Sequence, residues 1–167
     1  MTPGKDGDPV PEERLADIRA RRPNGELIGI DRVLWRSVPL ATGWNGLLGR
    51  VRGEFSLKLE YLELIMLRVA VLNGADFEWR VHYPVYLQAG GTEAKAQALR
   101  QEGVASSFDE IERVLIQLTD QSTRHVSVDA AVIEELKRHV GERQTVEAVA
   151  TVAAYNMVSR FLVALSI

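Results

Sequence analysis

The sequence predicts an all-α chain of about six to eight helices with no sheet, and three observations carry that reading. Apolar residues recur at three- and four-residue spacing in several segments, as in Leu59, Leu62, Ile65, Met66 and Val69. Residues that start helices (Ser56, Thr92, Ser107, Asp129) and pairs that stop them (Asn73-Gly74, Gly90-Gly91) stand at the ends of those segments. No alternating apolar and polar run bounded by turns appears anywhere in the chain.

Taken in order, residues 1–10 read as a disordered lead and residues 11–167 as a single domain. A short helix is expected from near Pro11, an early helical position suited to proline, with Glu12 and Glu13 placed where acids favour the helix dipole. Pro23-Asn24-Gly25 is a turn. From Asp31, the residues Val33, Leu34, Val38, Leu47, Leu48 and Val51 outline a kinked or split helix. Pro39 and glycines 43, 46, 49 and 53 are expected to interrupt it. Trp35 and Trp44 fit packing roles, with a ligand-pocket roof as the alternative.

Ser56 is the expected cap of the next helix, which is apolar over most of its circumference and should be central. Asp76 should cap the following one, which runs to Gly90-Gly91 with Pro84 inside and a kink expected just after His82. A small helix should run from Thr92 to near Gly103, and a longer one from Ser107 to about Thr123. Asp129 should cap a helix over Val132–Val140, and a final helix should run from Glu142 or Thr145 to Ile167. Its many alanines suggest close helix contact.

Composition narrows the function classes. The chain has 167 residues, 46% of them hydrophobic, enough for a proper core. Net charge is −3, and the run Arg19-Ala20-Arg21-Arg22 reads as a solvated helix end, so no nucleic-acid partner is expected. The chain has no cysteine, which removes disulfides, thiolate metal sites and thiol catalysis. No unbroken apolar run reaches the ~18 residues of a membrane span, and the N-terminal stretch lacks a signal-peptide core. The expectation is a soluble cytoplasmic protein with no membrane partner. The sequence has no Gly-x-Ser-x-Gly, phosphate loop or His-Glu-x-x-His.

One constellation carries chemistry. Glu78 and His82 stand one helical turn apart on the same face. Glu63 lies near the start of the preceding apolar helix, with Asn73-Gly74 between the two. Side-by-side packing would bring Glu63, Glu78 and His82 into one pocket. His82 would then serve as general acid/base, because imidazole titrates near neutral pH. Glu63 or Glu78 would orient it, and a carboxylate with a raised pKa could shuttle protons. The competing structural reading is a buried Glu63–His82 pair that fixes helix register, with Glu78 at a subunit interface. Metal binding is disfavoured, since soft ligands and a second histidine are missing, and no cofactor is expected. Arg80 belongs on another face, Arg68 is a further candidate anion contact, and His125 and His139 are assigned no role.

The spacing Glu63-x11-Ala75-x2-Glu78-x3-His82 resembles the signature of the carboxymuconolactone decarboxylase/alkylhydroperoxidase D (AhpD-like) superfamily. In its peroxidase branch the two central positions are cysteines. The form Glu78-Trp79-Arg80-Val81-His82 is similar to a cysteine-lacking branch. Gln88-Ala89-Gly90 and Tyr155–Phe161 add to a likeness that spans roughly residues 25–167.

The resemblance implies a compact helical subunit that assembles into a homo-oligomer: a dimer, trimer or hexamer. It also implies a carboxymuconolactone decarboxylase-type enzyme, acting on a small organic acid or lactone by proton transfer without metal or organic cofactor. The catalytic residues would be His82, Glu78 and Glu63. Thiol peroxidase chemistry does not carry over, because Ala75 and Glu78 can form neither a sulfenate nor a disulfide. The alternative is a non-catalytic ligand-binding or assembly protein of the same fold.

Overall fold

The computed structural model describes residues 12–20, 23–101 and 106–167. The expected N-terminal lead and the stop near Gly103 lie outside those residues. Among the described residues there are eight α-helices and one 3-10 turn, and no strand. The helices are α1 (Glu12–Arg19), α2 (Gly29–Leu34), α3 (Val38–Gly53), α4 (Leu59–Asn73), α5 (Asp76–Gln88), α6 (Glu93–Ala98), α7 (Glu110–His125) and α8 (Ala130–Ala164).

Helix α4 is the axis. Every residue from Tyr61 to Ala70 is buried, which a helix achieves only when neighbours cover all its sides. Those neighbours are α5, α7 and α8. Gly74 ends α4 in the left-handed conformation (φ 65°), where a side chain would be strained, as the Asn73-Gly74 pair predicted. A buried apolar side chain contributes roughly 1.5–3 kcal/mol. Leu64, Ile65, Met66 and Leu67, all fully buried, therefore anchor the molecule.

The split expected in the second helical pattern is real, but it falls at residues 35–37. Pro39 sits in the first turn of α3, where its missing N–H has no helical partner to lose. Gly43, Gly46 and Gly49 do not interrupt α3. Each costs about 1 kcal/mol relative to alanine, and burial of Ala41, Trp44, Leu48 and Val51 on the other face offsets that.

Three caps differ from expectation. Ser56 does not cap α4, which begins after Lys58; its N–H and hydroxyl instead donate to Glu147 of α8, at 2.8 and 2.9 Å. Leu57 N–H donates to the same oxygen at 2.9 Å. Asp76 is the first residue of α5, and Ala75 precedes it. Asp109, not Ser107, caps α7: it accepts from Glu112 N–H while Glu112 accepts from its N–H, a reciprocal box. Pro84 lies inside α5 without dividing it. The two expected C-terminal helices meet at Gly141 (φ 82°, ψ 170°), a conformation open essentially to glycine alone. The apolar window of α8 is long enough to cross a membrane by composition, yet 56% of it is buried inside the protein.

Candidate functional site

The buried stretch of α4 has two charged residues that the fold must neutralise, Glu63 and Arg68. Arg68 is resolved structurally. Its guanidinium donates to both carboxylate oxygens of Asp120 at 2.6 Å, and to the carbonyls of Leu99 (2.6 Å) and Gln101 (2.8 Å). It ties α4 to α7 and to the end of α6 with four of its five donors, and it does not line the pocket that Glu78 and His82 share.

Glu63 finds its partner across the α4–α5 contact. Its Oε2 lies 2.7 Å from Nδ1 of His82, with both side chains almost fully buried. A carboxylate oxygen only accepts, so Nδ1 carries the proton. In neutral imidazole Nε2 then presents its lone pair, and among the described residues it has no hydrogen-bond partner. The ring is further held by Tyr155 of α8, edge-on at 5.1 Å between centroids.

Glu78 shares His82's face of α5, as its spacing required, and is 2% exposed. Ser159 of α8 donates to its Oε2 at 2.5 Å, while Oε1 has no partner among the described residues. Burial pushes its carboxyl up to about 8, with the Ser159 hydrogen bond working the other way. At neutral pH Glu78 is therefore mostly the protonated acid, able to donate as well as accept. Arg80 is exposed on the opposite side of the helix.

Glu78 and His82 line one pocket, with Glu63 behind His82 and off the wall. Trp44, Leu48, Phe77 and Val158 supply its apolar sides, and Asp31, Asn45, Arg52 and Tyr155 its other polar groups. Trp44 thus takes the pocket-wall role left open by sequence, packed against Phe161. Trp35 packs in the core away from it. The volume open to the centre of a water molecule is about 40 Å³, room for roughly three waters. Tyr155 is fully buried and its hydroxyl has no well-formed hydrogen bond among the described residues. Burial raises its pKa, and the charge of nearby Arg52 opposes that.

Among the described residues no three His, Asp or Glu side chains converge as a metal site would require. His125 is the exposed last residue of α7, and His139 is half-buried just before the Gly141 break. Ala75 does not reach the His82 pocket. It faces a separate recess with Trp79 and Arg100.

Sequence reasoning missed Tyr155, Ser159, Arg52 and Asp31 as members of this site. A signal existed for two of them. Tyr155 and Ser159 are polar groups one turn apart inside an apolar helix, the same anomaly that marked Glu63 on α4. Arg52 and Asp31 carry no such mark, since both stand in segments rich in charge.

Residues 39–121 match the carboxymuconolactone decarboxylase family. Among solved structures, an uncharacterized peroxidase-related protein from Silicibacter sp. superposes with a TM-score of 0.82 and 18% identity, covering 100% of this chain and 93% of its own. A protein of unknown function from Agrobacterium tumefaciens, provisionally named as antioxidant defence protein AhpD, gives a TM-score of 0.73 and 20% identity. That match covers 83% of this chain and 94% of its own. At such identities the likeness is one of fold. No curated protein matches the chain.

Proposed function

Because the chain belongs to the carboxymuconolactone decarboxylase family, we propose that it is a cofactor-free acid/base enzyme acting on a small organic acid or lactone. The single observation that supports this most is an imidazole and a carboxyl of raised pKa on one wall. His82 Nε2 offers a lone pair, and Glu78 offers a proton. An imidazole nitrogen beside a carboxyl that keeps its proton is a usual layout of an acid/base pair.

In this reading His82 Nε2 takes a proton from carbon beside a substrate carbonyl. Glu63, accepting from Nδ1–H, stabilises the imidazolium that forms. Glu78 supplies a hydrogen bond or proton to the oxygen or carbon where negative charge develops. Tyr155, whose ring packs edge-on against His82 and whose hydroxyl lies beside Arg52, is a second donor for that oxygen. Peroxide reduction by thiols has no residue to perform it, since the positions of the family's cysteine pair hold Ala75 and Glu78.

The test is solvent-deuterium uptake by a small unsaturated γ-lactone, followed by NMR, with wild type and His82→Gln compared. Uptake that disappears in the variant, with its helical circular dichroism unchanged, is the expected result. Equal uptake in both would remove His82 from the mechanism.

A second reading has its own observation. Glu63 and His82 satisfy one another, and the pocket is small, as in a binding or assembly protein that has lost the chemistry. Absence of uptake in wild type across small lactones and keto acids would favour it. For either reading we propose a homo-oligomer. Leu40 and Leu47 of α3, and Val146 and Met157 of α8, form exposed apolar positions on two adjoining helices, the kind of surface that a second copy covers. Sedimentation at micromolar concentration distinguishes a dimer, trimer or hexamer from a monomer.

A further inference from the structure

The walls of the His82 pocket restrict the charge of what can occupy it. Arg52 is its one permanently cationic side chain among the described residues. Its Nε donates to Leu48 O at 3.0 Å, which commits one donor and fixes the stem along α3. Its terminal nitrogens lie beside the Tyr155 hydroxyl, a neutral neighbour, and no carboxylate among the described residues pairs with them. The other charged or acidic groups on the wall, Asp31 and Glu78, are carboxyls. The remainder is mostly apolar, with Trp44 and Phe77 the largest pieces.

We propose that this pocket takes a small monoanion, an apolar carbonyl compound whose one carboxylate is received by Arg52, and that it discriminates against dicarboxylates. The proposal rests on the reading of this pocket as the substrate site.

The physical argument is a balance of desolvation. One carboxylate moved from water into the pocket loses hydration and regains it from a planar guanidinium fork, the geometry that suits carboxylates best. A second carboxylate pays the same penalty with no second cation to meet it. It would instead lie among apolar side chains or face the carboxyls of Asp31 and Glu78. A neutral analogue escapes the penalty but leaves Arg52 without a counter-charge.

Three five-carbon probes of matched length separate these cases: pentanoate, glutarate and pentanamide, with one, two and no carboxylates. Dissociation constants are read by NMR titration of the whole protein at fixed ionic strength. Pentanoate should bind at least about tenfold more tightly than either of the others, the size of one charge-assisted hydrogen bond. Arg52→Gln should erase the advantage of pentanoate over pentanamide, and Arg52→Lys should keep part of it. Glutarate binding as tightly as pentanoate would overturn the proposal. So would pentanoate affinity unchanged by Arg52→Gln in a folded variant, or no binding of any probe. The wild-type comparison stands even if a variant fails to fold. Pentanoate selectivity without lactone deuterium uptake would sink the acid/base reading alone. Uptake accompanied by a preference for glutarate would sink this proposal alone.

Discussion

Glu63 Oε2 and His82 Nδ1, 2.7 Å apart, join the buried middle of α4 to the pocket-facing side of α5. The contact does two things at once. It neutralises a carboxylate that the all-round burial of α4 would otherwise strand, and it turns the imidazole so that Nε2 looks toward the pocket.

Removing Glu63 should therefore cost stability and function together. Glu63→Leu leaves the Nδ1–H buried without an acceptor, a loss of about 1–3 kcal/mol, readable as a lower midpoint in urea. Glu63→Gln keeps an acceptor but not the charge. It should stay close to wild type in stability while losing lactone deuterium uptake, whereas a purely structural pair would lose neither.

Glu78 should make the protein less stable as pH rises. Its carboxyl is raised in the folded state from 4.5 to about 8, so between those values the unfolded chain is ionised while the folded chain still holds the proton. Unfolding then releases a proton, and stability falls by up to about 1.4 kcal/mol per pH unit across that window. The advantage of the protonated form is complete below 4.5 and gone above about 8. Glu78→Gln should flatten the melting temperature between pH 5 and 8. Ser159→Ala, which removes the hydrogen bond that favours the ionised form, should extend the slope to higher pH. An unaltered melting profile in Glu78→Gln would show that the carboxyl is not held protonated.

Arg68 should be among the least replaceable residues outside the pocket. Arg68→Met deletes the partner of Asp120 and of two carbonyls, Leu99 and Gln101. Breaking one side of such a buried pair costs about 3–5 kcal/mol. Changing Asp120 to Asn as well should recover part of that, because no unpaired carboxylate then remains. Denaturation midpoints of the two single variants and the double variant measure the coupling.

Gly91 is required by Tyr86. A Cβ at position 91 would lie 2.3 Å from the Tyr86 ring, which is itself fully buried and cannot swing aside. Gly91→Ala should destabilise by about 1–3 kcal/mol through overpacking. Tyr86→Phe should not relieve this, since the clash is with ring carbons, whereas Tyr86→Leu should. Thermal melts of the two double variants decide between ring contact and any role of the Tyr86 hydroxyl.

The helical class, the turn at Asn73-Gly74, the break before α3 and the bend between the two arms of α8 were legible in sequence, because each is a local preference of a few residues. Apolar periodicity and glycine conformational freedom act within one or two turns. The position of α4 at the centre was legible for the same reason, as a helix apolar all round has to be covered. Glu63, Glu78 and His82 stood out as polar groups where burial was forecast, and their spacing on α5 placed two of them on one face.

What required the tertiary structure is everything settled between distant segments. Ser56 looked like a cap from its neighbours, yet its N–H and hydroxyl both donate to one oxygen of Glu147, far along the chain, which also accepts from Leu57 N–H. Arg68 looked like a free cation until Asp120 and two carbonyls closed on it. Arg52 and Asp31 joined the pocket only because α2 and α3 fold over α5 and α8. Glu78 acquired its raised pKa from burial against α8, which no spacing along α5 encodes. Sequence determined which groups were available for chemistry. Packing decided their charge states and partners, because desolvation and hydrogen bonding depend on what lies across an interface rather than along the chain.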